Sequence, residues 1–315
     1  MSGPDAGKIG SRVSMLIRDD DGSHREMLGR LLTLSSILKR DASEVTFDPT
    51  QVISWRVVPE QTVRRPTSHR IREIERAANT TWPSVEVVIQ GSWELRASSG
   101  FTQRANSVLP LGRPPFGEPS GELTAALKDV VDFYRGRNLI PRFQVPLPSY
   151  QALDMALDEE GWQSTLAVSV QICDLLVLAS APEHEVEITP LPGDEWLKLY
   201  QRPLGRDGLA VLTGGSPFFA TIRKADPTTG EYVVAAIGRG AAFEGWCGIT
   251  AIRTAAQFQR QGLAKSIVRA LAQQATANGA SRAFLQVSAD NDPALALYQR
   301  LGFREHHTYS YRSLV

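Results

Sequence analysis

The pattern of apolar positions changes along the chain from short runs to longer helical stripes. Near the start, runs of strand composition at 13–17, 27–32, 44–47 and 51–58 follow one another closely, with a turn at 19–22 after the first. Short, closely spaced strands predict a small closed β-barrel of SH3-like type over residues 1–62. From residue 123 onward, stripes at helical spacing alternate with apolar runs, which predicts α/β (α+β) structure.

The clearest succession of elements lies between residues 246 and 303. A strand is predicted over 246–254, a helix over 262–278 and a second strand over 283–287. Gly279 follows the helix as a C-cap, and Asn291 is a good N-cap for a last helix with Pro293 in its first turn. Gly302 ends that helix.

The segment between the first strand and its helix reads Gln259-Arg260-Gln261-Gly262-Leu263-Ala264-Lys265-Ser266. Backbone N–H groups of a small-residue loop at a helix N-terminus form a site for a diphosphate. Gly262 lets the main chain approach the phosphates without a Cβ, and the helix dipole favours negative charge there.

This loop and the order of elements around it resemble the GNAT superfamily of N-acetyltransferases, whose signature is Gln/Arg-x-x-Gly-x-Gly/Ala. The resemblance covers about residues 186–315 and implies a GNAT domain at 182–315 with a mixed, splayed central sheet. It implies acetyl-CoA as co-substrate and no metal. Contacts with CoA are implied for the fourth strand, the loop and the last helix cap, at Ile252, Arg253, Thr254, Gln259, Arg260, Gln261, Gly262, Leu263, Ala264, Lys265 and Asn291.

Acyl transfer from a thioester to an amine needs a positioned donor, charge stabilisation on the thioester oxygen and proton transfer. Tyr298 stands seven residues after Asn291 and four before Gly302, where the family places the tyrosine that protonates the departing thiolate. Its other interpretation is an aromatic residue that packs with Leu297 on the helix. Asn291 likewise has a plain role as N-cap.

The general base is not evident. The family's fourth-strand glutamate falls at Gly248, and a fifth-strand glutamate falls at Gln286, which accepts no proton at neutral pH. Glu244 is a weak candidate because it is expected in a solvated turn. His306 and His307 are expected on opposite faces of a strand. A base relayed by water, or an acceptor already deprotonated, fits this absence.

The middle region is predicted to be a degenerate GNAT-like lobe at 63–181. Its elements match the C-terminal ones at a nearly constant offset, since Phe143 maps to Leu285 and Gly161 to Gly302. The counterpart of Gly262 is Ser120, where the signature is missing and Pro119 removes an N–H donor. This lobe is therefore not expected to bind CoA. An unrelated α/β lobe is the alternative.

Composition and charge argue against a nucleic-acid-binding protein and a membrane protein. Lys plus Arg and Asp plus Glu number 34 each, so net charge does not favour nucleic acid or acidic membranes. The stretch 56–76, which carries several arginines, is interpreted as a solvated linker and helix face, with a nucleic-acid patch as the minority view. Cys173 and Cys247 are expected to be buried free thiols. With no apolar leader or membrane span, a cytoplasmic protein is expected.

The sequence thus predicts an acetyl-CoA-dependent N-acetyltransferase in which a primary amine attacks directly in a ternary complex. The alternative is a non-enzymatic, acyl-CoA-binding regulatory module. Residues that bind the acceptor are expected at 194–217, including Leu197 and Tyr200. The acceptor, a small molecule or a peptide amine, and the oligomeric state are not predicted.

Overall fold

The computed structural model describes residues 3–39, 43–58 and 66–315. The chain separates into two compact units, Met1–Arg65 and Pro66–Val315. The predicted boundary at residue 62 and part of the stretch 56–76 fall at 59–65, outside the described residues.

The N-terminal unit is a five-stranded antiparallel sheet in the order β4-β3-β2-β1-β5. Its strands are β1 (Arg12–Arg18), β2 (His24–Thr33), β3 (Ser36–Leu38), β4 (Glu44–Thr46) and β5 (Val52–Val57). Val13, Met15 and Ile17 alternate with more exposed positions and enter one apolar core, as a half-buried strand requires. The predicted strands are confirmed and β3 is additional, whereas closure into an SH3-like barrel stays a prediction.

The second unit contains an eleven-stranded sheet and seven helices within residues 66–315. Its helices are α1 (Ser68–Thr81), α2 (Leu123–Arg135), α3 (Gln151–Glu159), α4 (Asp194–Tyr200), α5 (Arg206–Thr213), α6 (Leu263–Ala277) and α7 (Asp292–Arg300). Its strands are β6 (Glu86–Gln90), β7 (Trp93–Ala97), β8 (Val108–Pro110), β9 (Arg142–Leu147), β10 (Gln163–Asp174), β11 (Glu187–Thr189), β12 (Pro217–Ala225), β13 (Tyr232–Phe243), β14 (Trp246–Thr254), β15 (Arg282–Ser288) and β16 (Arg304–Ser313).

The order of this sheet is β11-β12-β13-β14-β15-β10-β16-β9-β8-β7-β6. Two neighbouring pairs, β14 with β15 and β8 with β9, are parallel, and the other pairs are antiparallel. Strand β10 from the middle of the chain lies between β15 and β16, and β16 in turn pairs with β9. The two halves of the unit therefore exchange their last strands.

Helices cover both faces of the C-terminal half of the sheet. Helix α6 carries Ile267, Val268 and Leu271 into a core with β12, β13, β14 and β15, which confirms the predicted apolar stripe. A second core lies around Trp196 and Tyr200 of α4. The sheet is thereby fixed from both sides, and its central strands are rigid supports for a site.

The middle region repeats the order of elements found in the C-terminal region. Helix α2 and β9 precede α3 and β10, just as α6 and β15 precede α7 and β16. Both cysteines are free and buried, as expected. Among the helices in the described ranges, none has the length and apolar character needed to cross a bilayer.

Candidate active site

Strands β14 and β15 diverge at the centre of the sheet. Their parallel pairing runs from Trp246 opposite Arg282 only as far as Ile249 opposite Leu285. Beyond this point β14 stays paired with β13 up to Thr254, and β15 stays paired with β10 up to Ser288. The last five residues of β14 therefore have main-chain groups that face away from β13 without a partner in β15.

A bulge bends β14 where the divergence begins. Ile237 pairs with Arg253 and Arg239 with Thr250, so Gly238 alone stands opposite Ala251 and Ile252. Ala251 has φ +55°, a left-handed conformation that is unfavourable for a residue with a Cβ. Bulges redirect main-chain groups and are frequent beside active sites. This one directs the end of β14 away from the regular ladder.

The predicted phosphate loop lies directly after β14. Arg260 has φ +64° and Gly262 has φ +80°, so two left-handed residues curve the chain before α6. The N–H groups of the first turn of α6 have no acceptors within the helix. A Cβ on Gly262 would meet only the side-chain atoms Glu183 Oε2 at 3.6 Å and His184 Nε2 at 3.9 Å. The loop is thus a cradle of amides open to an anion, which fits a diphosphate.

One carboxylate of the chain already lies beside this cradle. Glu183 pairs with Lys265 on the first turn of α6, and Arg269 Nη1 lies 3.3 Å from the Glu183 carboxylate. The hydrogen bond from Lys265, followed by the charges of Lys265 and Arg269, lowers the pKa of Glu183. His184 Nε2 lies 2.9 Å from the carbonyl oxygen of Gln261. No local pattern indicates Glu183 or His184 as part of the site, because both reach the loop from a distant segment.

A cleft of 740 Å³ extends from this loop along the end of β14 to α4. Four of the predicted cofactor residues line it together, namely Ile252, Arg253, Thr254 and Gln259. The guanidinium of Arg253 is held by α4, since it donates to the carbonyl oxygen of Tyr200 at 3.1 Å and also to Gln201 Oε1. The cleft follows the end of β14 from Ile252 and reaches the first residue of the loop, Gln259.

Tyr298 lies on α7 and Asn291 directly precedes this helix, and neither residue lines the cleft. The Asn291 side chain accepts a hydrogen bond from the N–H of Ala294 at 3.2 Å, which confirms its role as N-cap. Tyr298 is buried against Phe303, with ring centroids 5.8 Å apart, and burial raises its pKa to about 12. Its hydroxyl therefore keeps its proton at neutral pH, as an acid requires.

The expectation that His306 and His307 point to opposite faces is wrong. Val170 pairs with His307 and Gln171 with Glu305, so a bulge at His306 interrupts the alternation of β16. The two rings meet instead, with Nδ1 atoms 2.9 Å apart, and Nε2 of His307 lies 2.8 Å from a Glu75 carboxylate oxygen.

Neither histidine lines the cleft of 740 Å³. Burial, followed by the charge of His307, lowers the pKa of His306 to about 4. Glu244, the other weak candidate for a base, is exposed in the turn before β14 with φ +46°. These three side chains are thus accounted for by packing and turn formation.

A second cavity, of 630 Å³, opens on the other side of the divergence and is called the inter-strand cavity here. Thr250 and Ala251 of β14 and Gln286 and Ser288 of β15 contribute to it. Its remaining walls come from α4, from β10 and β16, and from the middle region, at Trp82, Gly100, Thr102, Gln103, Arg104, Leu166, Val168, Tyr200, Arg202, Tyr309 and Tyr311. Of the predicted acceptor residues, Tyr200 is here, whereas Leu197 packs beneath it in the adjoining core.

Three polar atoms around the inter-strand cavity are buried without a hydrogen-bond partner in the described part of the chain. They are Gln103 Oε1, Arg104 Nε and Gln286 Nε2. A buried polar group left without a partner costs about 1–3 kcal/mol, so native proteins seldom keep several together. Their concentration at one cavity indicates a place for a polar ligand.

The match with a protein-family model decides the assignment. The model described as "Probable histone acetyltransferase Rv0428c C-terminal" matches residues 67–312. The chain belongs to this family. It is a GNAT-type acetyltransferase, as the resemblance implied.

Two curated relatives agree with membership of the Rv0428c C-terminal family. The "Probable histone acetyltransferase Rv0428c" of Mycobacterium tuberculosis is 28% identical over 315 residues, covering 96% of this chain and 94% of that protein. The "Uncharacterized N-acetyltransferase YobR" of Bacillus subtilis is 29% identical over 253 residues, covering 75% of this chain and 97% of that protein. Both relatives are named acetyltransferases and match most of this chain, which agrees with an enzyme of this family.

Solved structures show the same fold. A GCN5-related N-acetyltransferase from Kribbella flavida has a TM-score of 0.58 at 17% identity, covering 77% of this chain and 95% of the other. A conserved protein of unknown function from Staphylococcus epidermidis has a TM-score of 0.52 at 12% identity, covering 74% and 94%. The mixed, splayed sheet predicted from the resemblance is thereby confirmed.

Proposed function

We propose that this protein transfers the acetyl group of acetyl-CoA to a primary amine, by direct attack within a ternary complex. The observation that carries the proposal is the succession of three features along the chain: the divergence of β14 from β15, the cleft along the end of β14, and the amide cradle at Gly262. Such a path suits a long anionic donor whose reactive end lies at the divergence.

The residues around the path fit CoA. Amides of the loop and of the first turn of α6, from Gln259 to Lys265, would hold the diphosphate, as the open space around Gly262 permits. The unpaired main chain of Ile252, Arg253 and Thr254 would hold the pantetheine arm and polarise the thioester oxygen through a backbone N–H. Asn291 would contact CoA only if its side chain left the cap of α7. When bound, acetyl-CoA supplies the acetyl group as a thioester.

The amine forms the new N–C bond as the C–S bond breaks. In this proposal Tyr298 donates its hydroxyl proton towards the departing sulfur, the amine releases its own proton to water, and Tyr298 then regains a proton from water. A water relay is favoured because the residues that line the inter-strand cavity include no carboxylate. The rate then depends mostly on how well amine and carbonyl are held together.

Direct attack is favoured over a covalent enzyme intermediate because both cysteine thiols are buried and have raised pKa values. Burial raises the pKa of Cys247 to about 12 and that of Cys173 to about 11. The thiolate is the nucleophilic form of cysteine, and it is disfavoured at both positions. Neither side chain lines the cleft or the inter-strand cavity.

Two measurements test the proposal on the full chain. Calorimetry with acetyl-CoA and with CoA should show saturable binding of both, because the diphosphate is common to them. Release of free thiol from acetyl-CoA, followed against a panel of primary amines, should rise with at least one amine and give an N-acetylated product by mass. Binding without any acetylated amine would leave only the regulatory module, and absence of binding would exclude both.

A further inference from the structure

The charged side chains that line the inter-strand cavity are all positive. Its fifteen lining residues include Arg104 and Arg202 and no aspartate or glutamate. The carboxylate of Glu75 lies outside this lining, where it accepts a hydrogen bond from Gln144 Nε2 at 2.6 Å and lies 2.8 Å from Nε2 of His307, and its charge compensates part of that of Arg104. A ligand in this cavity therefore meets positive charge.

Arg104 is positioned to bind a ligand directly. Its guanidinium lies over the ring of Trp82, 5.9 Å from the centroid, which orients the planar group. Tyr309 makes a hydrogen bond with this guanidinium, but the buried Nε of Arg104 has no hydrogen-bond partner in residues 66–315. A guanidinium carries only donors and is always charged, so the partner it lacks is an acceptor, best an anion.

The other two unpartnered atoms extend this pattern. Gln286 Oε1 accepts from the Tyr309 hydroxyl at 3.4 Å, which leaves Nε2 as a free donor. Gln103 Oε1 is an acceptor without a donor. Two donors and one acceptor match a carboxylate together with an N–H group of the same small molecule.

We infer that the inter-strand cavity binds an acceptor amine that also carries a carboxylate, with Arg104 as the residue that determines this specificity. The inference rests on the proposed acetyl transfer and names the class of its substrate. The amine lies towards Thr250 and Ala251 at the edge of β14, and the carboxylate lies towards Arg104. The aromatic side chains of Trp82, Tyr309 and Tyr311 cover the body of the molecule.

This class differs from a histone tail, which the name of the Mycobacterium tuberculosis relative suggests. A lysine-rich peptide brings several positive charges, and each would face Arg104 and Arg202 without a carboxylate in the lining. Like charges in a cleft disfavour binding and slow association. A lysine-rich peptide is therefore the negative comparison in the transfer experiment.

The first experiment measures binding without transfer, so it does not depend on catalysis. Saturation-transfer NMR on the CoA-saturated protein compares propanoate, 4-methylpentanoate and 3-phenylpropanoate with the amide of each. At least one carboxylate should bind at least about tenfold more tightly than its amide, the scale of a charged hydrogen bond. Equal binding within every pair, or no binding by any carboxylate, would overturn the inference.

Variants identify the residue responsible. R104Q should weaken the best carboxylate by about 10- to 100-fold and leave its amide unchanged, since only the charged partner is lost. R104K should restore part of the difference. Arg113 is 85% exposed, and R113Q serves as the matched control with no effect. Thermal unfolding of each variant reports whether R104Q is folded, and an unchanged carboxylate affinity in folded R104Q would refute the assignment.

The second experiment measures transfer. Thiol release compares phenylalanine, phenylalaninamide, 2-phenylethylamine and a lysine-rich peptide, and the carboxylated amine should have the highest kcat/KM. R104Q should raise KM for phenylalanine and leave kcat nearly unchanged. Preference for the peptide or the amide would overturn the inference while supporting acetyl transfer. Carboxylate binding without any transfer would instead support the cavity's specificity and contradict the proposed function.

Discussion

The loop before α2 in the middle region and the loop before α6 in the C-terminal region occupy equivalent places in the element order, yet their helices begin differently, with Glu122 as the N-cap of α2 and Gly262 as the N-cap of α6. Left-handed residues curve both loops, at Arg260 and Gly262 before α6 and at Glu118 and Gly121 before α2. Before α2, the N-cap is Glu122, a carboxylate where a phosphate would have to approach, and its side chain makes no capping hydrogen bond.

The middle loop is also filled from within. The Trp93 indole donates to the carbonyl oxygen of Phe116 at 2.8 Å, and the Tyr150 hydroxyl donates to that of Gly112 at 2.7 Å. Phe143 packs edge-on against Trp93 and Trp162, with centroids 5.0 and 5.2 Å apart. The comparison teaches that the same order of elements can be stabilised by aromatic packing in one region and can leave an open loop in the other.

The largest effect is expected from Gly262→Asp. A carboxylate at the amide cradle would repel the diphosphate, so CoA binding by calorimetry should fall below detection. Gly121→Asp in the middle region is the matched control, since Gly121 has φ +74° and a Cβ at this position would meet no atom within 4 Å. Both variants carry similar backbone strain. Retained affinity in Gly262→Asp, or equal loss in both, would remove the cradle from the proposed site.

The next effect concerns the packing of the middle region. Phe143 is fully buried, and Phe143→Ala should cost about 3–5 kcal/mol in the free energy of unfolding, since it leaves a cavity between two tryptophans. Phe133→Ala, at a half-buried ring of the same region, should cost clearly less. Chemical denaturation measures both. The CoA affinity of the folded fraction should not change. A parallel loss of affinity would contradict the interpretation that the middle region stabilises the fold without binding CoA.

A smaller effect is expected at Tyr298, whose counterpart in the middle region is Ala156 or Leu157. Tyr298→Phe should lower kcat by about 100-fold, the lower scale of acid catalysis, with CoA affinity unchanged. Because the pKa of Tyr298 is about 12, this group should cause no alkaline loss of kcat below about pH 10. Tyr232→Phe at an exposed ring is the control. An unchanged kcat in Tyr298→Phe would end its proposed role as acid.

The smallest effect is expected from Glu183→Gln. Removing a carboxylate that competes for Lys265 should tighten CoA binding by about two- to fivefold, the scale of exposed ion pairs, and less in high salt. Glu185→Gln, two residues along and also exposed, should leave the affinity unchanged. Weaker binding in Glu183→Gln would mean that Glu183 orients Lys265 for the ligand instead of competing with it.

Local signals in the sequence predict much of the C-terminal region. Strand β14 has the bounds expected from its composition, and α6 agrees within one residue at each end, because a strand and an amphipathic helix are encoded by neighbouring residues. Asn291 acts as N-cap, and Gly302 follows α7 with φ +91°, as their residue types indicate. Each of these features depends on contacts within a few residues.

Such local signals do not predict which strands pair when they are distant in the sequence. The exchange of β10 and β16 has no local signature, since β-strands pair through main-chain atoms that every residue carries. The bulge at His306 follows from the partner strand β10 and not from β16 alone. Arg104 and Gln103 lie in a short turn without a motif, and only tertiary structure brings them to Gln286. Apart from Tyr200, whose segment was expected to bind the acceptor, the way these residues meet at the inter-strand cavity could for this reason not be predicted.

The exchange of strands β10 and β16 determines which fragments of this enzyme can fold by themselves. A fragment that begins after residue 181 would lose β10, so β15 and β16 would each expose a long edge of unpaired amides and carbonyls, a template for aggregation. It would also lose the wall that carries Arg104. The proposed donor site and the inter-strand cavity are thus parts of one folding unit, and a truncation placed between the two repeated regions would separate strands that pair with each other.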